Sequence, residues 1–380
     1  MHACLRTIRA LNPCKLLETM VTILVVPDSF KGSAESSKVA AALSRGWASV
    51  RPDDLVRTLP FADGGEGTLD VIYQYQPHAK KIFSEVHGAD GSLRDAYWLL
   101  LKDGTAVVEL AQACGITWIS ELDPLGTHTY GLGELLAQAA LHPGVKRIYI
   151  ALGGSASTDA GVGALMALGY RFLDEQGASI KLGGRELSSI ATIISDGAIV
   201  GPEAIALVDV QSKLLGPWGA AQGYGPQKGA SAEQIEELNQ GLENFLRIVG
   251  VEDFDGAGAA GGTAYGLSAL WGARIESGAE FLINVSGLQD EIEKSDLIIT
   301  GEGQLDETSF EGKAVGKILT TAHELGSKVA LCVGTNMVAF PESVWSGISL
   351  TDLASSRNEA IAHPEKYLYL AGAELARRFN

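Results

Sequence analysis

The feature that most constrains this chain is a repeated unit in which a short apolar strand runs into a glycine-rich loop and then into a helix. The unit occurs four times, with predicted strands at residues 22–26, 146–152, 297–300 and 329–333. Short apolar runs that alternate with helices are typical of a parallel sheet covered by helices on both faces. We therefore predict an α/β fold with a doubly wound parallel sheet. In such sheets ligands bind beyond the carboxyl ends of the strands, where all four loops are expected.

One segment departs from this pattern. Residues 80–108 alternate apolar and polar side chains around a turn at 88–91, which favours antiparallel hairpins. We interpret this segment as part of a second, α+β domain inserted in the first. The predicted division is a non-core extension at 1–19, a flavodoxin- or Rossmann-like domain formed by 20–65 and 285–380, and an inserted domain at 66–284.

The first nineteen residues differ in character from the rest. The segment has three basic residues, Arg6, Arg9 and Lys15, against one acid, Glu18. It has neither a sustained apolar stretch nor a small-residue cleavage site. The segment is therefore not predicted to be a secretory signal. An upstream start codon or a frayed tail is one interpretation, since Met20 directly precedes the first strand. An amphipathic transit peptide is the alternative.

Composition narrows the classes of partner. The chain has 46 Asp and Glu against 29 Lys and Arg, a formal net charge of −17. A surface this acidic repels nucleic acid and anionic lipid, and no apolar run approaches the ~20 residues of a spanning helix. The four cysteines lack metal-ligand spacing, which fits a reduced cytoplasm. An anionic ligand would need basic side chains, backbone amides or a bound cation.

Several glycine-rich loops also carry acids. Glycine permits positive φ and close approach of backbone to a ligand, and successive amides form nests that bind anions. Carboxylates beside such backbone suit a phosphate that is bound together with Mg²⁺. The predicted metal ligands are Asp63 and Glu66 in the loop at 60–68, and Glu302 and Asp306 in the loop at 300–306. A tight turn with a helix cap is the alternative for the first loop.

A second set of residues is predicted to bind substrate or phosphate. Lys313 is notable because it stands at a predicted helix start, where the positive end of the helix dipole disfavours a lysine unless an anion compensates. Lys31 occupies a similar loop position. The binding set is Asp28, Ser29, Gly64, Gly65, Gly153, Gly154, Ser155, Lys228, Gly301 and Gly303.

Two apparent nucleotide motifs are rejected. Residues 256–261 match the glycine pattern of dinucleotide-binding folds, but 253–255 do not form a buried strand before them. We expect these glycines to let a helix pack closely on its neighbour. Gly312 and Lys313 resemble the end of a Walker A loop, yet Glu307 and Ala314 break the pattern.

Taken together, the loops resemble the glycerate kinase family of the first type. The matching segments, in family order, are 28–32, 62–68, 108–111, 153–156, 225–230, 256–262 and 300–303. The resemblance implies a flavodoxin-like domain and a second α/β domain with the active site in the cleft between them. It also implies ATP-dependent phosphorylation of D-glycerate to 2-phosphoglycerate in organic acid catabolism, with ATP and Mg²⁺ as cofactors.

Phosphoryl transfer depends mostly on positioning and charge neutralisation. We assign Lys31, Lys228 and Lys313 to phosphate or to the glycerate carboxylate. Asp209 or Asp159 is the predicted acceptor of the substrate hydroxyl's proton, although Asp159 could instead cap a helix. D-glycerate and ATP are the expected partners, and a homo-oligomer is left open.

Two positions depart from the family pattern. Thr158 stands where the family usually has Asn, and residues 211–213 read Gln-Ser-Lys where an Asn-Pro turn is typical. The second change bears on substrate specificity more than on fold. A kinase of another small hydroxy acid is therefore one alternative interpretation. A non-catalytic metabolite-binding protein on the same fold is a second, independent alternative.

Overall fold

The structure is a computed structural model that describes residues 21–30, 33–59, 61, 65–310 and 314–379. The predicted extension at 1–19 lies outside the described residues. The strands are β1 (Thr22–Val25), β2 (Leu55–Thr58), β3 (Lys80–His87), β4 (Leu93–Leu100), β5 (Thr105–Glu109), β6 (Arg147–Ala151), β7 (Arg171–Leu173), β8 (Thr192–Ile194), β9 (Glu203–Leu207), β10 (Arg274–Glu276), β11 (Leu297–Thr300), β12 (Gln304–Leu305), β13 (Lys328–Val333), β14 (Thr335–Asn336) and β15 (Ser346–Ser349).

The helices connect and cover these strands. They are α1 (Ser36–Val50), α2 (Thr68–Tyr75), α3 (Leu110–Cys114), α4 (Tyr130–Leu141), α5 (Val162–Ala167), α6 (Ala220–Tyr224), α7 (Ala232–Val249), α8 (Ala259–Trp271), α9 (Gly278–Ser286), α10 (Leu288–Glu293), α11 (Ala314–Glu324), α12 (Leu350–Leu353), α13 (Arg357–Ala362) and α14 (Pro364–Arg378).

Sheet one is fully parallel and has the strand order β2-β1-β11-β13-β15. Its first strand in the chain lies second in the sheet, so the winding direction reverses between β1 and β11. This is the flavodoxin-like order, and it confirms the predicted doubly wound sheet. Every residue of β11 is buried, as expected of a strand covered on both faces.

Sheet two is mixed and has the order β10-β9-β6-β5-β4-β3. The pairs from β10 to β5 are parallel, whereas β5-β4 and β4-β3 are antiparallel, which confirms the hairpins predicted in residues 80–108. The strand predicted at 146–152 is β6, and it lies in this sheet between β5 and β9. The four strands with glycine-rich loops therefore belong to two sheets, because β6 pairs with β5 and β9 and not with a strand of sheet one.

The two sheets share a hydrophobic core. Sheet one contributes Leu24 and Ile298, and sheet two contributes Val107 and Ile205, to a cluster that also includes apolar side chains of α2, α9, α10 and α11. A second core lies between sheet one and helices α1 and α14. A third lies on the far face of sheet two, against α4, α5, α7 and α8. The result is five alternating layers of helix and sheet. The boundaries at 66 and 284 stay a prediction.

The outer helices of sheet one are in close contact. A side chain at Gly46 of α1 would lie 2.0 Å from the carbonyl oxygen of Tyr369, and one at Gly372 of α14 would lie 2.2 Å from that of Leu43. Both glycines are therefore required by helix packing rather than by a ligand. Across the described ranges, no helix is both long and apolar enough to cross a membrane.

Candidate active site

A cleft of about 370 Å³ opens at the carboxyl end of sheet one. It is lined by residues that follow β1, β11, β13 and β15, and it therefore lies where the strand order reverses. Five residues predicted from the sequence line it: Asp28, Ser29, Glu302, Gly303 and Asp306. The structure thus brings together three of the ten predicted binding residues and two of the four predicted metal ligands.

Close backbone packing fixes the loops of this cleft. The Asp28 amide donates to the carbonyl of Gly301 at 2.9 Å, and the Gly334 amide donates to that of Glu302 at 3.0 Å. A side chain at Gly301 would lie 1.6 Å from the carbonyl oxygen of Cys332. Gly301, predicted to contact phosphate, is therefore required first by the contact between neighbouring loops.

The acids at the cleft are partly occupied by local hydrogen bonds. Asp28 is buried and accepts from the Ser29 amide at 2.6 Å. Asp306 begins a turn in which its own amide donates to the Ser309 hydroxyl at 3.0 Å, and the Gln304 amide group donates to its carboxylate at 3.4 Å. Glu302, the third acid that lines the cleft, is half-buried.

These acids are not a preformed metal cage. Among the residues that the structure describes, no group of three or more His, Cys, Asp or Glu side chains is placed to hold one ion. Mg²⁺ commonly binds through one or two carboxylates, with water and substrate phosphate completing its shell. The carboxylates of Glu302 and Asp306 in one cleft fit that mode of binding.

Another predicted metal ligand, Glu66, lies at the carboxyl end of sheet two. Its carboxylate accepts from the Thr117 hydroxyl at 2.9 Å. A side chain at Gly153 would lie 2.3 Å from the Cα of Gly65, so the loop before α2 and the loop after β6 are in contact. The Phe61 amide donates to the carbonyl of Pro27 after β1, so Phe61 lies at the carboxyl end of sheet one, whereas Gly65 and Glu66 lie at that of sheet two.

Glu109 anchors the loop before α2 and was not singled out as a site residue from the sequence. It ends β5, it is 1% exposed, and its carboxylate accepts from the amides of Gly67 and Leu69 at 3.0 and 2.9 Å. Burial raises the pKa of Glu109 to about 7, against the lowering effect of the two amides. The charges of Asp70 and Glu66 raise it further. An acid within the apolar run 106–111 was the available signal.

Asp159, one of the two predicted proton acceptors, is fully buried at the start of α5. One carboxylate oxygen accepts from the amide and hydroxyl of Thr129, both at 2.8 Å, and from the Gly163 amide at 3.1 Å. The Ser157 hydroxyl donates to the other oxygen at 3.2 Å. This geometry favours the alternative in which Asp159 caps a helix and ties it to neighbouring loops.

Lys228, predicted to contact phosphate, is 3% exposed. Its ammonium donates to the carbonyl of Ser157 and, at 3.3 Å, to the hydroxyl of Thr158. Burial lowers the pKa of Lys228 to about 8, and the charge of Asp159 opposes that shift. These contacts favour a role in holding the loop after β6. Ser155 belongs to the same loop, and its hydroxyl accepts from the Ser157 amide at 3.2 Å.

Asp209, the other predicted proton acceptor, follows β9 and is half-buried. Its two oxygens accept from the Ser277 hydroxyl at 2.7 Å and from the Ala279 amide at 2.9 Å, at the start of α9. It therefore also orients a helix, but it is less enclosed than Asp159.

The chain that follows residues 211–213, the segment that departs from the family pattern, is held by hydrogen bonds to one carboxylate. Asp253 accepts from the amides of Leu214 and Leu215 at 2.8 and 3.1 Å. These bonds restrain the chain just after the position where a proline would. The Lys213 side chain is exposed, and a side chain at Gly258 would lie 2.2 Å from the Lys213 carbonyl oxygen.

The glycine run at 256–262 packs closely on these loops, as predicted. Residues 253–255 form no strand, and a side chain at Gly261 would lie 2.1 Å from the Ser157 carbonyl oxygen. Ala160 and Ala260 both adopt positive φ there, at 51° and 53°, and the Ala160 amide donates to the Gly261 carbonyl. Strained backbone of this kind persists only where surrounding structure demands it.

Four predicted site residues lie outside the described residues: Lys31, Asp63, Gly64 and Lys313. Their roles stay predictions.

A flavodoxin-ordered sheet whose carboxyl end carries an acidic, glycine-lined cleft, packed on a second, mixed sheet, is typical of an α/β protein that binds a small ligand. The sequence model described as "Glycerate kinase family" matches residues 23–380. The chain belongs to that family. It is accordingly a kinase, a phosphotransferase with an alcohol group as acceptor.

Individual relatives agree with the family match. A glycerate kinase of Halalkalibacterium halodurans is 35% identical over 94% of this chain and 98% of its own length. A glycerate 2-kinase of Escherichia coli K12 is 38% identical over 77% of this chain and 79% of its own. A Salmonella typhimurium LT2 crystal structure, described as that of a candidate glycerate kinase 2, is 32% identical with a TM-score of 0.73, over 94% and 98% of the two chains.

Proposed function

We propose that the protein transfers the γ-phosphoryl group of ATP to the 2-hydroxyl of D-glycerate, giving 2-phosphoglycerate and ADP, with Mg²⁺ as cofactor. The observation that carries the proposal is the cleft at the strand reversal, in which Asp28, Glu302 and Asp306 adjoin glycine backbone. The name of the Escherichia coli relative, glycerate 2-kinase, supports the choice of hydroxyl.

The acids of the cleft need a cation before a phosphate can bind beside them. Glu302 and Asp306 would hold Mg²⁺, which neutralises phosphate charge when it is bound. The backbone of Ser29 and Gly303 would orient the phosphates. Carboxylates without a metal would instead repel ATP, so the proposal requires a divalent ion.

Arg357 adds a positive charge that the sequence motifs did not reveal. It begins α13, lines the same cleft and is exposed, and its guanidinium donates to the Gln304 side chain at 3.4 Å. A planar guanidinium suits carboxylate or phosphate. We propose that Arg357 contacts an anionic group of the ligand in this cleft.

Of the two candidate proton acceptors, Asp209 is the one we favour. Asp159 is fully buried and its oxygens accept several hydrogen bonds, whereas Asp209 is half-buried at the end of β9. A carboxylate held by two donors at a helix start is fixed in orientation, which general base catalysis requires.

A second candidate function is phosphorylation of another small hydroxy acid. The exposed Lys213, in a segment without the usual Asn-Pro turn, is the observation that favours it. A non-catalytic binding protein is disfavoured because the acids of the cleft are retained. A cytoplasmic location also stays a prediction.

The assay that tests the proposal follows ADP release with D-glycerate, ATP and Mg²⁺ together and with each omitted. We expect turnover only in the complete mixture and none in EDTA. A ³¹P NMR spectrum of the product distinguishes 2- from 3-phosphoglycerate. Turnover that persists in EDTA would contradict the proposal. Turnover with another hydroxy acid but none with D-glycerate would also contradict it.

Arg357→Gln tests the cleft separately. We expect the KM for ATP or for D-glycerate to rise by about tenfold or more, as expected when a charge-assisted contact is lost. The substrate whose KM rises is the one whose anionic group lies in the cleft. Arg45→Gln is the matched control, because Arg45 is exposed and pairs with Glu365 outside the cleft. Unchanged constants in Arg357→Gln would contradict this placement.

A further inference from the structure

Strand β3 is a long unpaired edge of sheet two. It spans eight residues, whereas the opposite edge strand, β10, spans three, and the edge strands of sheet one, β2 and β15, span four each. An edge strand presents main-chain N–H and C=O groups that can pair with another chain. Proteins usually protect such an edge by making it short, by placing charged side chains on it or by covering it. The side chains of an exposed edge strand therefore determine which other strand can pair with it.

The hydrogen bonds at the hairpin end of β3 show which of its residues face outward. The Gly88 amide donates to the Ser92 carbonyl of the paired strand at 2.6 Å. Since residues of an antiparallel pair alternate in hydrogen bonding, the even-numbered residues of β3 bond to β4. The His87 amide agrees with this alternation, because it donates to the Glu134 side chain instead, at 2.7 Å.

Lys81, Phe83 and Glu85 therefore direct their main-chain groups away from the sheet. Within the described part of the chain, none of these groups makes a hydrogen bond. The Phe83 side chain is 67% exposed, with its ring 5.4 Å from that of Tyr97. Three consecutive outward positions thus combine free main-chain groups with an exposed aromatic side chain.

The charges on this edge are complementary to a second copy of the same strand. When two β3 strands run antiparallel with Phe83 opposite Phe83, Lys81 of each copy lies opposite Glu85 of the other. Opposite charges directly across a strand pair are stabilising. A slip of two residues places Glu85 opposite Ala79, or Lys81 opposite His87, and loses both ion pairs. In its own chain Lys81 also contacts Asp70 at 3.3 Å, and its ammonium lies over the rings of Tyr73 and Tyr97.

We infer that β3 pairs with β3 of a second copy about a two-fold axis at Phe83. The two six-stranded sheets then form one continuous sheet across a homodimer. Each of the three opposed pairs has the outward groups that exchange two main-chain hydrogen bonds. The two Phe83 rings and the two Tyr97 rings form one aromatic cluster, which removes the exposed apolar surface from water.

Phe83→Asp tests the interface in the full chain. It places two like charges opposite each other and removes the aromatic contact. In sedimentation velocity we expect a concentration-dependent dimer for the natural sequence, and a dissociation constant raised by about a hundredfold in the variant. Val200→Asp is the matched control, because Val200 is 94% exposed and lies outside the strands. A monomer at every concentration, or equal dimerisation of Phe83→Asp and the natural sequence, would overturn the inference.

A disulfide tests the register. Directly opposed residues of a hydrogen-bonded antiparallel pair have Cα atoms about 5.5 Å apart, within the range that a disulfide spans. With Cys4 and Cys14 replaced by Ser, we expect Phe83→Cys to give a cross-linked dimer on oxidation, and Val200→Cys to give none. A dimer in solution without this cross-link would assign the interface to another surface.

Discussion

Glu109 is a carboxylate inside an apolar strand, and its environment makes folding depend on pH. The neutral form is favoured by burial, while the amides of Gly67 and Leu69 favour the charged form. The folded state therefore binds the proton more tightly than the unfolded chain, whose glutamates titrate near their ordinary value of 4.5. An acid with a raised pKa destabilises the fold progressively as pH rises toward that pKa.

We expect the free energy of unfolding to fall by up to about 3 kcal/mol between pH 4.5 and 7 through Glu109 alone. Glu109→Gln cannot ionise, so it should lose that part of the pH dependence. Urea denaturation of both proteins at pH 5 and pH 8 measures the difference. Glu324→Gln, at an exposed position, controls for the loss of one carboxylate. Parallel pH dependence in the natural sequence and Glu109→Gln would contradict this account.

At the scale of elements, the loops after β1, β11 and β13 form one unit. Gly301 lies where a side chain would overlap the Cys332 carbonyl, and its own carbonyl accepts from the Asp28 amide. A shift of the backbone at Gly301 would therefore move the loop that carries Asp28 and the loop that carries Glu302. The glycine is thus a condition for the position of Asp28 relative to Glu302.

Gly301→Ala should therefore reduce both stability and activity. We expect the free energy of unfolding to fall by about 1–3 kcal/mol, as for other overpacked sites, and turnover to fall with it. Gly144→Ala is the matched control, because Gly144 is exposed and the nearest atom to an added side chain, at 3.1 Å, belongs to the His142 ring rather than to backbone. Denaturation and ADP-release assays on both variants provide the comparison. A stable, fully active Gly301→Ala protein would show that the loops rearrange freely.

The local sequence pattern predicted the bounds of the strands better than it predicted which strands pair with one another. The apolar runs gave β1, β11 and β13 close to their observed bounds, because burial on both faces leaves a signal in a few adjacent residues. The place of β6 in sheet two depends on pairing with β5 and β9, which periodicity does not record. Arg357 was missed for a related reason: its place in the cleft follows from how α13 packs, not from a motif.

The candidate site was predicted in part. The sequence placed acids and glycines in the correct loops, and Asp28, Glu302 and Asp306 do line one cleft. The hydrogen bonds that occupy Asp159 and Asp209 come from Thr129, Ser277 and other distant residues. Such partners are set by the tertiary fold, so sequence alone left structural and chemical roles open.

For the whole molecule, the shared core between the sheets bears on how the two predicted domains unfold. Val107 and Val108 are adjacent in β5, both are fully buried, and they face opposite cores. Val107 packs in the core that also contains Leu24 and Ile298 of sheet one. Separating the sheets would expose this surface, so we expect both to unfold together despite the sequence division at 66 and 284.

Hydrogen exchange measures that coupling directly. In one cooperative unit, the amides of β11 and of β5 should share the same free energy of opening. Val108→Ala faces away from sheet one, yet it should lower the protection of both strands equally, by about 2 kcal/mol. Val200→Ala, at a 94% exposed position, should change neither. If Val108→Ala lowered protection in β5 and left β11 unchanged, the sheets would unfold as separate units, and the cleft could open without loss of either fold.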